Sequence, residues 1–146
     1  MMFSNNSCLP LILGNSPFSF EKEISNTISI HPFASIKEKR FTNDEWAKLI
    51  FRILKANPSF QINILGSKAD TNDSNKIHNS LILKDFKHSI QSQTNHASIE
   101  ESFQFVNNSK LFIGHDSMVS HLASVAEKES VIISLGSVKP FETSPY

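Results

Sequence analysis

Residues 111–123 read Leu111-Phe112-Ile113-Gly114-His115-Asp116-Ser117-Met118-Val119-Ser120-His121-Leu122-Ala123. Three consecutive large apolar residues suit a strand buried on both faces, since a strand with one wet face would alternate. Gly114 closes it. Asp116 or Ser117 then offers the side-chain oxygen that opens a helix. Val119, Leu122, Ala123 and Ala126 follow at i, i+3, i+4 and i+7, giving that helix one apolar side. An apolar strand running directly into a capped amphipathic helix is the building unit of a parallel sheet.

The same unit recurs upstream. Ile28-Ser29-Ile30-His31 is a short strand stopped by Pro32, followed by a polar, basic loop from Ser35 to Arg40. Thr42 and Glu45 make a capping box, and Trp46, Leu49, Ile50, Ile53 and Leu54 form one apolar stripe that Asn57-Pro58 ends. Ile62-Asn63-Ile64-Leu65 is a second strand, Gly66 to Asp70 a loop, and a weak polar helix is expected over Asp73 to Ser80. A poorly defined strand is expected between Leu83 and Ile90. Ser98 and Glu101 form a second capping box, for a helix carrying Ile99, Phe103 and Val106. Downstream, Val131-Ile132-Ile133 reads as a buried strand leading to Gly136. Residues 1–27, turn-rich and without a sustained period, read as a connector. The expectation is therefore an α/β fold over residues 28–146, a doubly wound parallel sheet of Rossmann-like type.

Composition narrows the function classes. Of 146 residues, 39% are hydrophobic and 19% charged, with fourteen Lys+Arg against fourteen Asp+Glu. That excludes a disordered polyelectrolyte and argues against a dedicated nucleic-acid binder, which needs surplus cations to displace counterions. Cys8 is the single cysteine, so no internal disulfide forms, and either the compartment is reducing or the fold is indifferent to it. No apolar run approaches the roughly 18–20 residues that span a bilayer, and the start lacks a basic segment ahead of a long apolar one. A Walker A loop, a GxGxxG fingerprint and a GxSxG elbow are all missing. His115 and His121 flank the Asp116 turn without HExxH or Cys/His spacing, so neither a metal nor a cofactor is expected. A receiver-like signalling domain would need an acidic pair after the first strand, which this chain lacks.

In open parallel sheets, ligands sit beyond the carboxyl ends of the strands, where helix N-termini present unpaired N–H groups. The segments there are His31–Arg40, Gly66–Asp70, Gly114–Ser120 and Gly136–Pro140. Amides of Ser117, Met118 and Val119 could meet an anionic group, while Asp116 suits a sugar hydroxyl; taken alone, the Asp-Ser pair is better explained by plain N-capping. Lys37, Lys39 and Arg40 could neutralise a diphosphate leaving group or be a solvated charge cluster beside Glu38. Asp70 could hold ribose hydroxyls or be a surface turn carboxylate.

Taken in order, these segments resemble the C-terminal half of glycosyltransferase family 9, the lipopolysaccharide heptosyltransferases. The family's HPGAS-like turn is matched by His31-Pro32-Phe33-Ala34-Ser35, its KRWP by Lys39-Arg40-Phe41, and its following tryptophan by Trp46. Its G-G-x-x-E/D loop corresponds to Gly66 through Asp70. Its G-N-D-[ST]-G-x-x-H-L-A segment corresponds to Gly114 through Ala123, and its closing G-P-T-x-P…PY to Gly136–Pro140 and Pro145-Tyr146. The chain departs from the pattern at Phe33 and Met118, where the family has glycine, and at Ser137-Val138.

The resemblance implies the donor half of a GT-B enzyme that transfers a heptose from an ADP-heptose-like nucleotide-sugar to the lipopolysaccharide core, with inversion and without an essential metal. Carried over by position, Ser35 and Lys39 would hold the diphosphate, Asp70 the ribose and Asp116 the sugar. Ser117 and the amides of Met118 and Val119 would meet the phosphates. The family's N-terminal domain, which binds the acceptor and supplies the carboxylate base, has no counterpart in these residues, so no catalytic residue is assigned and little transferase activity is expected from this chain alone. The expected location is the cytoplasm, with peripheral attachment to the inner membrane as a further option. The alternative is a non-catalytic remnant or interaction module that kept the fold.

Overall fold

The computed structural model describes residues 25–34, 38, 40–95 and 98–135. Five strands, β1 (Thr27–His31), β2 (Gln61–Ile64), β3 (Ile90–Ser92), β4 (Leu111–His115) and β5 (Ser130–Ile133), form one sheet in the order β3-β2-β1-β4-β5. Every pairing is parallel; Ile28 registers with Ile62 on one side and with Leu111 on the other. Four α-helices connect them: α1 (Asn43–Ala56), α2 (Thr71–His78), α3 (Ile99–Asn107) and α4 (Met118–Val125). The expected doubly wound α/β fold is the observed one. Among the described residues no helix is long and apolar enough to cross a membrane.

Strand alternation sorts the core into two layers. Ile28 and Ile30 of β1, Ile62 and Ile64 of β2 and Ile90 of β3 pack with Trp46, Ala47, Ile50 and Leu54 of α1 and Ile77 of α2. On the opposite face Phe112 of β4 packs with Leu65, Val106 of α3, and Val119 and Ala123 of α4. At about 25 cal/mol per Å² of apolar surface removed from water, such fully buried side chains supply the main driving force for assembly.

Caps set the helix starts. Glu45 N–H donates to Thr42 Oγ1 at 3.1 Å and Thr42 N–H to Glu45 Oε1 at 2.9 Å, the complete box expected from sequence. Glu101 N–H donates to Ser98 Oγ at 3.1 Å, but here the Ser98 hydroxyl itself donates to Glu101 Oε1. Ser117, not Asp116, caps α4: Ser120 N–H donates to Ser117 Oγ and Ser117 N–H to Ser120 Oγ.

Three expectations need correction. The third strand begins at Ile90 rather than lying between Leu83 and Ile90, because Leu83 sits in a single 3₁₀ turn as a core plug below α1. Its sequence, Ile-Gln-Ser, is too short and polar to signal a strand. Ile99 is exposed at the start of α3, while Phe103 and Val106 turn inward. Val131 is also exposed: β5 pairs with β4 and has no second strand among the described residues.

Candidate functional site

Strand order reverses between β1 and β4, and the crevice that this reversal opens lies at the carboxyl ends of the strands. A cavity of about 290 Å³ occupies it, lined by His31 at the end of β1, Gly66 and Ser67 after β2, Asp70, and Met118 and Val119 at the start of α4. Phe33, Ala34 and Ser102 complete its wall. Its volume is near the lower end of small-molecule sites, and it opens to solvent, which leaves room for a larger ligand to extend outward.

Two glycines are dictated by close approach. A Cβ on Gly114 would stand 2.8 Å from Phe112 Cζ and 3.1 Å from the His31 carbonyl, so β1 and β4 can run side by side here only without one. A Cβ on Gly66 would stand 2.8 Å from Phe33 Cδ2. The Phe33 ring is thus the reason for Gly66. It is buried in the α1 core layer and meets His31 edge-on at 6.0 Å.

The imidazole at the floor is polar but uncharged. His31 is buried, and burial is the chief cause that lowers its pKa to about 4; nearby Asp70 opposes the shift and His115 adds to it. At neutral pH it is therefore an uncharged imidazole, with Nδ1 3.3 Å from Ser117 Oγ. Asp70 Oδ2 accepts from the Ser67 N–H at 2.9 Å and from the Ser67 hydroxyl at 3.0 Å. The carboxylate that the resemblance would assign to a ribose is the clasp of its own turn.

Of the seven residues singled out from sequence, Asp70, Met118 and Val119 line the cavity, and Ser117 touches it through His31. Ser35 and Lys39 lie outside the described residues, as do Lys37 and the Gly136–Pro140 segment. Asp116 is not among the lining residues; its Oδ1 lies 3.9 Å from His121 Nε2 on α4. Met118 takes up ordinary helical backbone, with 53% of its surface exposed at the rim. Arg40 turns from the cavity: its guanidinium reaches Asp73 of α2 at 3.6 Å, donates to the Ala34 carbonyl and lies over the Phe33 ring. It pins α1 to α2.

Sequence reasoning missed Ser102 as a wall residue, and it held His31 and Ser67 only as members of the segments beyond the strand ends, without a role. His31 was readable, since it sits at the carboxyl end of β1 in phase with the side facing α3 and α4. Ser102 carried no signal, because a serine within an amphipathic helix is ordinary.

No curated protein matches the chain significantly. Its fold is similar to that of E. coli ADP-heptose lps heptosyltransferase II, with TM-score 0.74 and 16% identity, over 99% of this chain and 42% of that one. It is also similar to a glycosyl transferase family 9 protein from Veillonella parvula, with TM-score 0.69 and 15% identity over 95% of this chain and 37% of that one. E. coli heptosyltransferase WaaC with ADP gives TM-score 0.60 and 14% identity, over 76% and 33%. The chain thus spans well under half the length of the solved structures it resembles. The model of glycosyltransferase family 9 (heptosyltransferase) matches residues 16–146, nearly the whole sequence, and the chain belongs to that family.

Proposed function

We propose that this chain is the donor-binding part of a heptosyltransferase-type enzyme, and that the crevice takes a nucleoside diphosphate sugar. The observation that carries the reading is the convergence of the β2 turn and the α4 N-terminus on one cavity at the switch point of the sheet. Met118 and Val119 open α4 there, and a helix start offers amide hydrogens and a favourable field to a diphosphate. An uncharged His31 on the floor adds no repulsion for the sugar and leaves the anion to the amides.

In this reading Ser35 and Lys39 hold the diphosphate, Asp70 the ribose and Asp116 the sugar at the mouth. Lys39 would offset charge on the departing diphosphate, the stage at which electrostatic assistance lowers a barrier most. The acceptor, a lipopolysaccharide core, and the base that deprotonates it belong to a separate domain. The chain by itself therefore transfers little sugar, because the reaction depends on holding both substrates in register. The setting is the cytoplasm at the face of the inner membrane.

The non-catalytic alternative drew on Phe33 and Met118 at family glycine positions. Both line the crevice, Phe33 buried in its wall and Met118 half-exposed at its rim, and an open space of about 290 Å³ remains beside them. The test is thermal stabilisation by ADP. Wild type should gain stability with increasing ADP, and Lys39→Ala and Asp116→Ala should each reduce that gain. Equal responses from wild type and both variants would remove the site assignment.

A further inference from the structure

His115 stands where the family motif has asparagine, one residue before the Asp116–Ser117 turn. Its ring is 1% exposed, and both ring nitrogens are engaged. Nε2 accepts the Phe41 N–H at 2.9 Å, which places the ring proton on Nδ1, and Nδ1 donates to the Ile133 carbonyl at 2.9 Å. Phe41 and Trp46 each meet the ring edge-on at 5.6 Å. One side chain thereby joins the end of β4, the end of β5 and the segment that leads from β1 into α1.

We propose that His115 is a positioning residue: as the neutral imidazole it holds the Asp116–Ser117 turn in register with the start of α1, and a second proton on the ring releases that register. The geometry gives the reason. A proton on Nε2 would face the Phe41 N–H, donor against donor, and the lost acceptor is buried. The groups facing the ring favour the neutral form. Burial lowers the pKa most, the Arg40 guanidinium lowers it further, and the Ile133 carbonyl opposes them. His31, from β1, faces the same region but is uncharged above about pH 4, so it brings no charge to the ring in this range. Asparagine could reproduce only the Nδ1 contact and glutamine only the Nε2 contact, since neither amide spans both positions. The consequence for ligand binding rests on the nucleotide-sugar reading above; the register itself does not.

The test uses the whole chain. Trp46 is the single tryptophan, and an imidazolium quenches an adjacent indole, so its fluorescence reports the charge on His115. Fluorescence, ADP affinity and solvent protection of the Phe41 and Ser117 amides are followed from about pH 8 to about pH 5. The expectation is a fall in fluorescence with loss of Phe41 protection at the same midpoint, and ADP affinity about tenfold lower beyond it. His115→Gln, which keeps an acceptor for Phe41 but has no proton to gain, should abolish the step and hold ADP affinity level. His31, at about 4, titrates below this window.

A step that His115→Gln leaves intact, or a step with unchanged Phe41 protection, overturns the proposal. If ADP binds at no pH, the nucleotide reading fails, and the two amides decide the positioning claim: joint loss of protection supports it and independent behaviour refutes it.

Discussion

His31 Nδ1 and Ser117 Oγ lie 3.3 Å apart and join the end of β1 to the N-cap of α4 across the switch point of the sheet. Ser117 therefore serves two partners, since its oxygen also accepts the Ser120 N–H. The turn after β4 is tied to β1 below and to its own helix above. A second buried histidine, His115, ties the same turn sideways to Phe41 and β5.

Burial of His31 makes stability depend on pH. Its pKa falls from 6.5 to about 4 on folding, so between those values the unfolded chain binds more protons than the folded one. Above pH 6.5 the group is neutral in both states and contributes no slope. Stability should fall as pH drops through the window, by roughly 3 kcal/mol in all. The shift of His115 acts in the same direction. Urea midpoints taken across the window should show the fall, and His31→Asn should flatten it; an unchanged slope in that variant would contradict the assignment.

The contact between Phe33 and Gly66 predicts coupled substitutions. Gly66→Ala drives a methyl to 2.8 Å from the Phe33 ring and should cost about 1–3 kcal/mol. Phe33→Leu opens that space at its own cost. The double variant should be more stable than the sum of the two losses predicts, as denaturant unfolding can measure. Simple additivity would mean that the ring does not exclude the methyl.

Thr42→Ala removes the N-cap of α1 and should destabilise the chain by about 1 kcal/mol, measured by denaturant unfolding. Both arms of its capping box are formed, so Glu45→Ala should show a smaller loss in the same assay. Equal stability of Thr42→Ala and wild type would contradict the cap's role.

Met118 opens α4 with ordinary helical backbone and an exposed side chain. Met118→Gly should therefore cost at most about 1 kcal/mol, from the greater freedom of the unfolded chain. It should leave ADP affinity nearly unchanged by calorimetric titration. A large gain in affinity would show that the thioether obstructs the crevice.

The fold was legible where burial and period agreed. Trp46, Ile50 and Leu54 announced α1, and Leu111-Phe112-Ile113 announced β4, because a two-sided sheet demands continuous apolar strands. It was obscure at Ile90-Gln91-Ser92, where Ser92 bonds Ser74 rather than packing apolar surface, so no hydrophobic pattern marks the strand. Val131 misled for a related reason, since apolar character says nothing about a strand's place at an edge. In the candidate site, Asp70 and Val119 were readable from their positions after strands. The Ser67 clasp on Asp70 and the contacts of His31 and His115 depend on neighbours 74 and 86 residues away or on a turn's exact shape, which local sequence does not encode.

The central claim is that the crevice between β1, β2 and α4 receives the nucleoside diphosphate. Amide shift mapping of the labelled chain during titration with ADP tests it most directly. Saturable shifts concentrated at His31, Gly66, Ser67, Met118 and Val119 are the predicted result. Shifts confined to another face, or none at saturating ADP, would contradict it.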